Sequence, residues 1–299
     1  MRGAEHGATV RAFLLKHPMS SQFVPVDWPQ ASPPLTIAVH SEGDTVVSRT
    51  LRDSGAWEPF ESALIWDSLG CGDVFLDVGA NLGYFSLLAA QKVGQSGCVY
   101  AFEPDPSNAE LLMRSAARNG LVEQIQLQQA ALAEHEGEGR LHLSADNFGD
   151  HQLFPADASR QSVPIALVQG DTFFVDVAAL PNLVKVDTQG SEYHVILGLM
   201  STLHRLQAPR LLIELTPFSL REAGVSGRMF IELLAQLGLM FWIVDHIEHR
   251  LVPSTEAELA LWCDNVDAVQ GDQGFMNIFL GAPPGNWQQQ GANYHPPHA

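Results

Sequence analysis

The segment 73–86, DVFLDVGANLGYFS, constrains the fold of this chain more than any other. Its apolar start, residues 74–76, is rich in β-forming side chains and predicts a buried strand that ends at Asp77. A glycine turn follows, and the pattern from Tyr84 onward predicts a helix. Strand, glycine turn and helix in this order are typical of the start of a nucleotide-binding βαβ unit, whose helix N-terminus offers free N–H groups to a ligand.

The spacing of the glycines selects the ligand. A dinucleotide turn has the pattern G-x-G-x-x-G, but Asn81 stands where the second glycine belongs. The pattern that fits is acid-x-G-x-(G/N)-x-G, starting at Asp77. A carboxylate there would repel a pyrophosphate and suits the ammonium and sulfonium of S-adenosylmethionine. The predicted cofactor contacts in this segment are Asp77, Gly79, Ala80, Asn81 and Gly83.

A second acid supports the same cofactor. The predicted strand Cys98–Phe102 ends at Glu103, a little more than roughly 20 residues after the glycines, where an acid accepts hydrogen bonds from ribose hydroxyls. Pro104 and Ala131 complete the predicted cofactor contacts. The alternative is an ordinary turn with a surface glutamate. Asp77, the glycine turn and Glu103 occur together at matching positions, which favours the nucleoside site.

Composition limits the partners of the protein. The formal net charge of −18 argues against nucleic acid or an anionic membrane surface as the main partner, since both require basic patches. The three cysteines lack C-x-x-C spacing, so we expect neither a disulfide framework nor structural zinc. The apolar run 12–15 is too short for a signal peptide or a membrane span. These features predict a cytoplasmic protein, and they do not identify its substrate.

The pattern of elements divides the chain into three parts. Residues 1–55 are expected to form an N-terminal extension with a hairpin made of 35–39 and 44–51, and residues 283–299 a disordered tail. In the domain between them, 56–282, strands alternate with helices, which predicts an α/β fold with a mostly parallel sheet and helices on both faces. The carboxyl ends of the predicted strands carry Asp77, Glu103, Ala131, Asp187 and Glu214.

Several motifs together resemble the FkbM family of S-adenosylmethionine-dependent methyltransferases over residues 57–280. They are DVFLDVGANLGYFSLLAA, VYAFEPDPSN, DNFGDHQL, LVKVDTQGSEYHVILG and LLIELTP. The resemblance implies a class I methyltransferase fold, with a seven-stranded sheet whose last strand is antiparallel. It also implies methylation of hydroxyl groups on sugars or secondary metabolites. One departure is Thr188-Gln189, which replaces the family's commoner Val-Glu and removes one candidate base.

The candidate catalytic residues are Asp187 and His151. Asp187 ends the fourth predicted strand and is expected to take the hydroxyl proton, or else to bind the amino group of the cofactor. His151 belongs to an Asn-x-Gly-x-His loop of the family and could act as the base, the alternative being a loop histidine paired with Asp150. Trp57 and Glu58 are a further pair expected near the cofactor, with packing as the other role of Trp57.

Asn147, Glu192 and Glu214 are the candidate substrate contacts. Glu192 could instead cap its own helix, and Glu214 could form a buried ion pair with Lys185. Asp187, Glu214 and His151 match no metal-ligand spacing, so no metal is predicted.

The sequence therefore predicts an S-adenosylmethionine-dependent O-methyltransferase acting on a small hydroxylated molecule. The alternatives are an NAD-dependent oxidoreductase and a catalytically inactive S-adenosylmethionine-binding protein. Methylation of an amine or of a protein also fits the pattern, and the oligomeric state stays open.

Overall fold

The structure, a computed structural model, describes residues 21–155, 157, 159–177 and 179–288. The strands are β1 (Ser21–Pro25), β2 (Thr36–His40), β3 (Val74–Val78), β4 (Cys98–Phe102), β5 (Ile125–Gln128), β6 (Ala131–Ala133), β7 (Gly137–His142), β8 (Ser162–Gln169), β9 (Leu183–Val186), β10 (Arg210–Leu215), β11 (Phe241–Asp245), β12 (Arg250–Ser254) and β13 (Met276–Leu280). The helices are α1 (Val47–Ser54), α2 (Pro59–Ser68), α3 (Tyr84–Val93), α4 (Pro106–Asn119), α5 (Gly170–Phe173), α6 (Glu192–Arg205), α7 (Pro217–Glu222), α8 (Gly227–Ala235), α9 (Glu256–Ala268) and α10 (Gly285–Gln288).

The central sheet confirms the predicted fold class and adds one strand to it. Within the described ranges it has eight strands in the order β12-β11-β13-β10-β9-β3-β4-β5. The strands from β10 to β5 in this order run parallel, and β13 is antiparallel to both of its neighbours. This is the class I methyltransferase arrangement. The expected count of seven strands was one short, because β12 folds back along β11 as an antiparallel edge strand.

Side chains alternate between the two faces of the sheet, and each face is covered by its own hydrophobic core. On β3, Phe75 packs into the core that contains α2, α3 and α4. Its neighbours Leu76 and Val78 point to the opposite core, which contains α6 and α8. A sheet buried on both faces explains why its strands read as nearly continuous apolar runs in the sequence.

The N-terminal extension folds differently from the prediction. Strand β2 pairs with β1, not with residues 44–51. Residues 47–54 form helix α1, and the hairpin expected there is wrong. Val47, Ser48 and Leu51 share one buried face of this helix, which follows helical rather than strand periodicity. The extension also shares its core with the sheet-covering helices. Residues 1–20 lie outside the described residues.

The beginning of the predicted disordered tail is ordered. Helix α10 occupies the segment after Gly281, and the side chain of Trp287 is buried. Its indole Nε1 donates to Asp67 Oδ2 at 2.9 Å, which ties the segment to α2. The expectation of disorder is therefore wrong for these residues, while 289–299 lie outside the described part of the chain. No helix in the described ranges combines the length and apolarity needed to cross a membrane.

Candidate active site

A cavity of about 730 Å³ opens at the carboxyl ends of the parallel strands. This volume lies in the range of about 300–1,000 Å³ typical of small-molecule sites. The predicted site residues that line it are Gly79, Ala80, Asn81, Glu103, Pro104, Ala131, Asn147, His151, Asp187 and Glu214. Three other predicted contacts, Asp77, Gly83 and Glu192, are not among the lining residues, and their side chains have other roles.

The glycines of the turn are required by packing inside the protein. Gly79 has φ +82°, and a Cβ atom there would lie 1.8 Å from the carbonyl oxygen of Asp187. Gly83 has φ +85°, and a Cβ atom there would lie 2.4 Å from Cγ of Leu112 on α4. Both positions thus exclude a side chain. Gly83 was expected to let a ligand approach, and instead it lets α4 approach the turn.

Asp77 is a buried structural acid. Its side chain is fully buried, and Oδ2 accepts a hydrogen bond of 2.6 Å from the hydroxyl of Ser86. Lys185 is its Cα partner on the neighbouring strand β9. Burial raises the pKa of Asp77, and the Lys185 ammonium acts in the opposite direction. The predicted direct contact between Asp77 and the cofactor is therefore wrong, because this carboxylate faces the interior.

Glu103 presents a firmly held carboxylate to the cavity. Its Oε2 accepts from the backbone N–H of Asn81 at 2.7 Å, and its Oε1 accepts from that of Asp105 at 2.8 Å. Burial raises its pKa to about 8, although these hydrogen bonds favour the ionised form. Each carboxylate oxygen accepts more than one hydrogen bond, so Glu103 retains acceptor capacity for ribose hydroxyls.

The surroundings of Glu103 fit an adenosyl group. Phe102, Leu132 and Leu141 add apolar surface to the same cavity, and Ala80 and Ala131 keep it open. Apolar walls with one well-placed acid suit a purine nucleoside. The acidic character of the rest of the lining suits the positive charges of S-adenosylmethionine. The residues present therefore fit the predicted cofactor.

A hydrogen-bonded group of four residues lies at the ends of β9 and β10. Lys185 Nζ contacts Asp187 Oδ2 at 3.0 Å. Nε2 of Gln189 donates to Asp187 Oδ1 at 2.8 Å and to Glu214 Oε2 at 2.7 Å. Burial lowers the pKa of Lys185, but Asp187, Asp77 and Glu58 outweigh this and raise it, so Lys185 is cationic. The expected ion pair of Lys185 with Glu214 is wrong, because Lys185 pairs with Asp187.

Glu58 adds a third carboxyl group to this end of the cavity. The residue has φ +42° and precedes α2, which turns it into the cavity lining. Burial, together with the charges of Asp187 and Glu61, raises its pKa to about 8. Glu58 was expected near the cofactor together with Trp57, without a chemical role of its own. No sequence pattern predicts a left-handed backbone at Glu58, because glutamate rarely adopts positive φ.

Glu192 stabilises the turn before α6. Its Oε1 accepts from the backbone N–H of Thr188 at 2.8 Å and from the Thr188 hydroxyl at 3.0 Å. The N–H of Gly190 donates to the same carboxylate. The side chain is buried, so a direct substrate contact is wrong and the capping alternative describes its role.

His151 lines the cavity with a defined tautomer. The backbone N–H of Ser144 donates to Nδ1 at 3.0 Å. Because Nδ1 accepts, the neutral ring carries its hydrogen on Nε2. Burial lowers the pKa of His151, and this effect exceeds the opposing effect of the Asp105 and Asp150 charges. The ring is therefore neutral near pH 7. In this arrangement Nε2 donates and does not accept a proton, which is unfavourable for the predicted role as general base.

Asp150 is engaged elsewhere. Its Oδ2 pairs with Arg160 at 2.7 Å and its Oδ1 accepts from Gln152 at 2.6 Å. The alternative in which His151 pairs with Asp150 is therefore wrong. His151 accepts a hydrogen bond from the Ser144 backbone instead.

The N-terminal extension holds the loop that contains Asn147. The backbone N–H of Thr45 donates to the carbonyl of Asp146 at 2.8 Å, and Asp44 Oδ1 accepts from the N–H of Phe148 at 3.4 Å. Asn147 Oδ1 accepts from the N–H of Gly149 at 3.1 Å, which shapes the loop at the cavity. The described ranges contain no group of three or more His, Cys, Asp or Glu side chains arranged to hold a metal ion.

Comparison with known proteins agrees with this geometry. A family model described as "Methyltransferase FkbM domain" matches residues 77–241. No curated protein matches the chain. Among solved structures, the methyltransferase FkbM from Methylobacillus flagellatus KT is 14% identical, covering 72% of this chain and 47% of that one, with a TM-score of 0.43. This chain therefore spans about half the length of that protein.

Two further solved structures are similar at the same level. A SAM-dependent O-methyltransferase from Thermotoga maritima is 13% identical, covering 78% of this chain and 70% of that one, with a TM-score of 0.41. The O-methyltransferase TomG from Streptomyces achromogenes, involved in tomaymycin synthesis and solved in complex with SAM, is 11% identical, covering 76% of this chain and 79% of that one, with a TM-score of 0.37.

Proposed function

The chain belongs to the FkbM methyltransferase family, with S-adenosylmethionine as its cofactor, and we propose that it methylates a hydroxyl group of a small polar molecule. One observation carries this proposal. Glu103 and Asp187 follow β4 and β9, the two strands that flank β3, and both line the same cavity on either side of the Gly79 turn. A ribose-binding acid and a candidate base thus face one enclosed space.

Glu103 holds the ribose, and the backbone around Ala80 and Asn81 forms the adjoining wall. When bound, S-adenosylmethionine supplies an electrophilic methyl group on a sulfonium and departs as a neutral thioether. The residues of the chain then have to align the acceptor oxygen with this methyl group and exclude water. Positioning of this kind lowers a barrier by about 7–11 kcal/mol.

Asp187 takes the proton of the acceptor hydroxyl as the new carbon–oxygen bond forms. Its contacts with the Lys185 ammonium and the Gln189 amide fix its orientation. His151 orients the acceptor by donating from Nε2. A general base of this kind contributes about 10²–10⁴-fold to the rate.

The experiment is methyl transfer from labelled S-adenosylmethionine to a panel of small hydroxylated molecules. We expect labelled methyl ethers, and we expect Asp187→Asn to lower kcat by about 10²–10⁴-fold while the affinity for S-adenosylhomocysteine is kept. The exposed substitution Glu123→Gln is the matched control, because it removes a carboxylate outside the cavity.

Two outcomes distinguish the alternatives. Calorimetric binding of NADH without binding of S-adenosylmethionine would support the oxidoreductase. Tight binding of S-adenosylmethionine without label transfer to the panel or to a cell extract would support an inactive binding protein. A methyl group found on nitrogen would replace O-methylation by N-methylation.

A further inference from the structure

We propose that the methyl acceptor carries a protonated amino group next to its hydroxyl, and that Glu58, Glu214 and Ser191 bind this ammonium. The inference rests on the proposed function and specifies its substrate class. An amino sugar or an amino alcohol has the required chemistry.

Acids outnumber bases at the end of the cavity that Glu58 lines. Three carboxyl groups, those of Glu58, Asp187 and Glu214, line it together with one ammonium, that of Lys185. Lys185 contacts Asp187, which leaves the other two acids without a cation in direct contact among the described residues. Within the described part of the chain, the only donor to the Glu214 carboxylate is the neutral side-chain amide of Gln189. A buried carboxylate held by a neutral donor is more costly than one paired with a cation.

The raised pKa of Glu214 agrees with an excess of acids around it. Burial raises its pKa well above the ordinary value, and Asp187, Glu192 and Glu58 raise it further. A cation placed between these groups would reverse the repulsion that they exert on one another. The bound cofactor contributes a sulfonium and an ammonium, but its own carboxylate balances one of these charges. An ammonium on the acceptor supplies a further positive charge to a region with surplus acid.

The hydroxyl of Ser191 supports the same site independently of charge. Its side chain is 3% exposed and belongs to the cavity lining, yet its hydroxyl Oγ has no hydrogen-bond partner. Ser191 lies two residues after Gln189, whose amide bridges Asp187 and Glu214. A buried hydroxyl without a partner costs free energy, and an ammonium N–H group would satisfy it.

The wall near these acids suits a cation as well. Trp57, Phe218 and Phe275 line the same cavity, and half of the Phe275 side chain is exposed. Aromatic faces attract ammonium groups because the ring quadrupole is negative there. A neutral polyol could donate hydrogen bonds to these acids but would not offset their charge.

The experiment measures binding to the full chain saturated with S-adenosylhomocysteine. The probes are glucosamine, galactosamine and mannosamine, each paired with its N-acetyl derivative, which keeps the hydroxyls and lacks the charge. We expect the amines to bind at least about tenfold more tightly in calorimetry, as hydrogen bonds to charged groups imply. Glu214→Gln and Ser191→Ala should each reduce this preference, and retained binding of S-adenosylhomocysteine verifies that the variants are folded.

The outcomes separate this inference from the proposed function. Equal binding of amines and N-acetyl derivatives, including no binding of any amine, overturns the inference. Methyl ethers formed equally well on neutral sugars also overturn it and leave O-methylation standing. A preference for amines with the methyl group found on nitrogen supports the ammonium site and refutes O-methylation. A preference that Glu214→Gln leaves unchanged overturns the assignment of Glu214.

Discussion

The hydroxyl of Ser86 donates to Oδ2 of Asp77 at 2.6 Å, and both side chains are fully buried. This contact joins β3 to α3 on the face of the sheet opposite the α6 core. It identifies the acid of the glycine motif as a part of the scaffold. On the two strands that flank β3, the acids that line the cavity are Glu103 on one side and Asp187 on the other.

Ser86→Ala should therefore lower stability without affecting the cofactor. We expect a loss of about 1.5–3 kcal/mol in the free energy of unfolding, because the buried carboxylate loses a charge-assisted hydrogen bond. Urea unfolding measures the loss, and calorimetry should find an unchanged affinity for S-adenosylhomocysteine. Ser32→Ala, at an exposed position outside the helices, is the control. A tenfold weaker binding would instead place Asp77 in the site.

Glu103→Gln should have the complementary effect. Gln keeps one acceptor oxygen and replaces the carboxylate that is predicted to bind the ribose hydroxyls. At about pH 9, above its pKa of about 8, Glu103 is ionised. There we expect S-adenosylhomocysteine to bind about 10–150-fold more weakly to the variant, which corresponds to about 1.5–3 kcal/mol for hydrogen bonds to a charged group. Calorimetry checks this against Glu123→Gln. An unchanged dissociation constant would contradict the ribose assignment.

The two glycines Gly79 and Gly120 provide a matched pair. Both have positive φ, so alanine introduces the same backbone strain of about 1–2 kcal/mol at each. Only at Gly79 would the new Cβ atom collide with backbone, 1.8 Å from the Asp187 carbonyl oxygen, whereas at Gly120 nothing lies within 4 Å. Gly79→Ala should be clearly more destabilising in urea unfolding, and equal losses would mean that the turn can move away from β9.

Glu58 predicts how stability changes with pH. Its pKa is raised to about 8 in the folded protein, so the folded state binds this proton more tightly than the unfolded state. Its contribution to stability is complete below the ordinary glutamate pKa of about 4.5 and is lost as pH rises through about 8. Glu58→Gln should flatten the decline of the urea midpoint over this range, and a parallel decline in both proteins would contradict the raised pKa.

The tautomer of His151 is directly measurable. Nitrogen chemical shifts of the imidazole should identify a neutral ring with its hydrogen on Nε2 at pH 6.5, the ordinary histidine pKa. The reason is the Ser144 N–H, which occupies Nδ1, together with burial, which lowers the pKa. Exposed His135, which lies outside the cavity lining, provides a second imidazole for comparison in the same spectra. A charged His151 at this pH would contradict the arrangement.

Most of the α/β domain could be predicted from local patterns. The strands β3, β4, β9 and β10 are apolar runs bounded by turns, and helix α4 ends at Gly120 as its sequence indicates. The hairpin strand predicted for 44–51 was wrong because a short segment of mixed polarity fits both the helical and the strand period. Val47 and Leu51, four residues apart, are buried together, which is typical of a helix. Strand β8 and helix α9 were not identified, since their half-exposed faces give weak patterns.

The sequence by itself determined the strand–turn–helix unit, the acids at the strand ends and hence a cofactor with positive charge, because spacing along one chain decides these. Only the tertiary structure decided which acid faces the cavity. Asp77 lies opposite Lys185 on β9, a residue more than a hundred positions away in the chain, and its side chain is fully buried outside the cavity lining. Side-chain direction depends on which strands become neighbours, and neighbours distant in sequence leave no local trace.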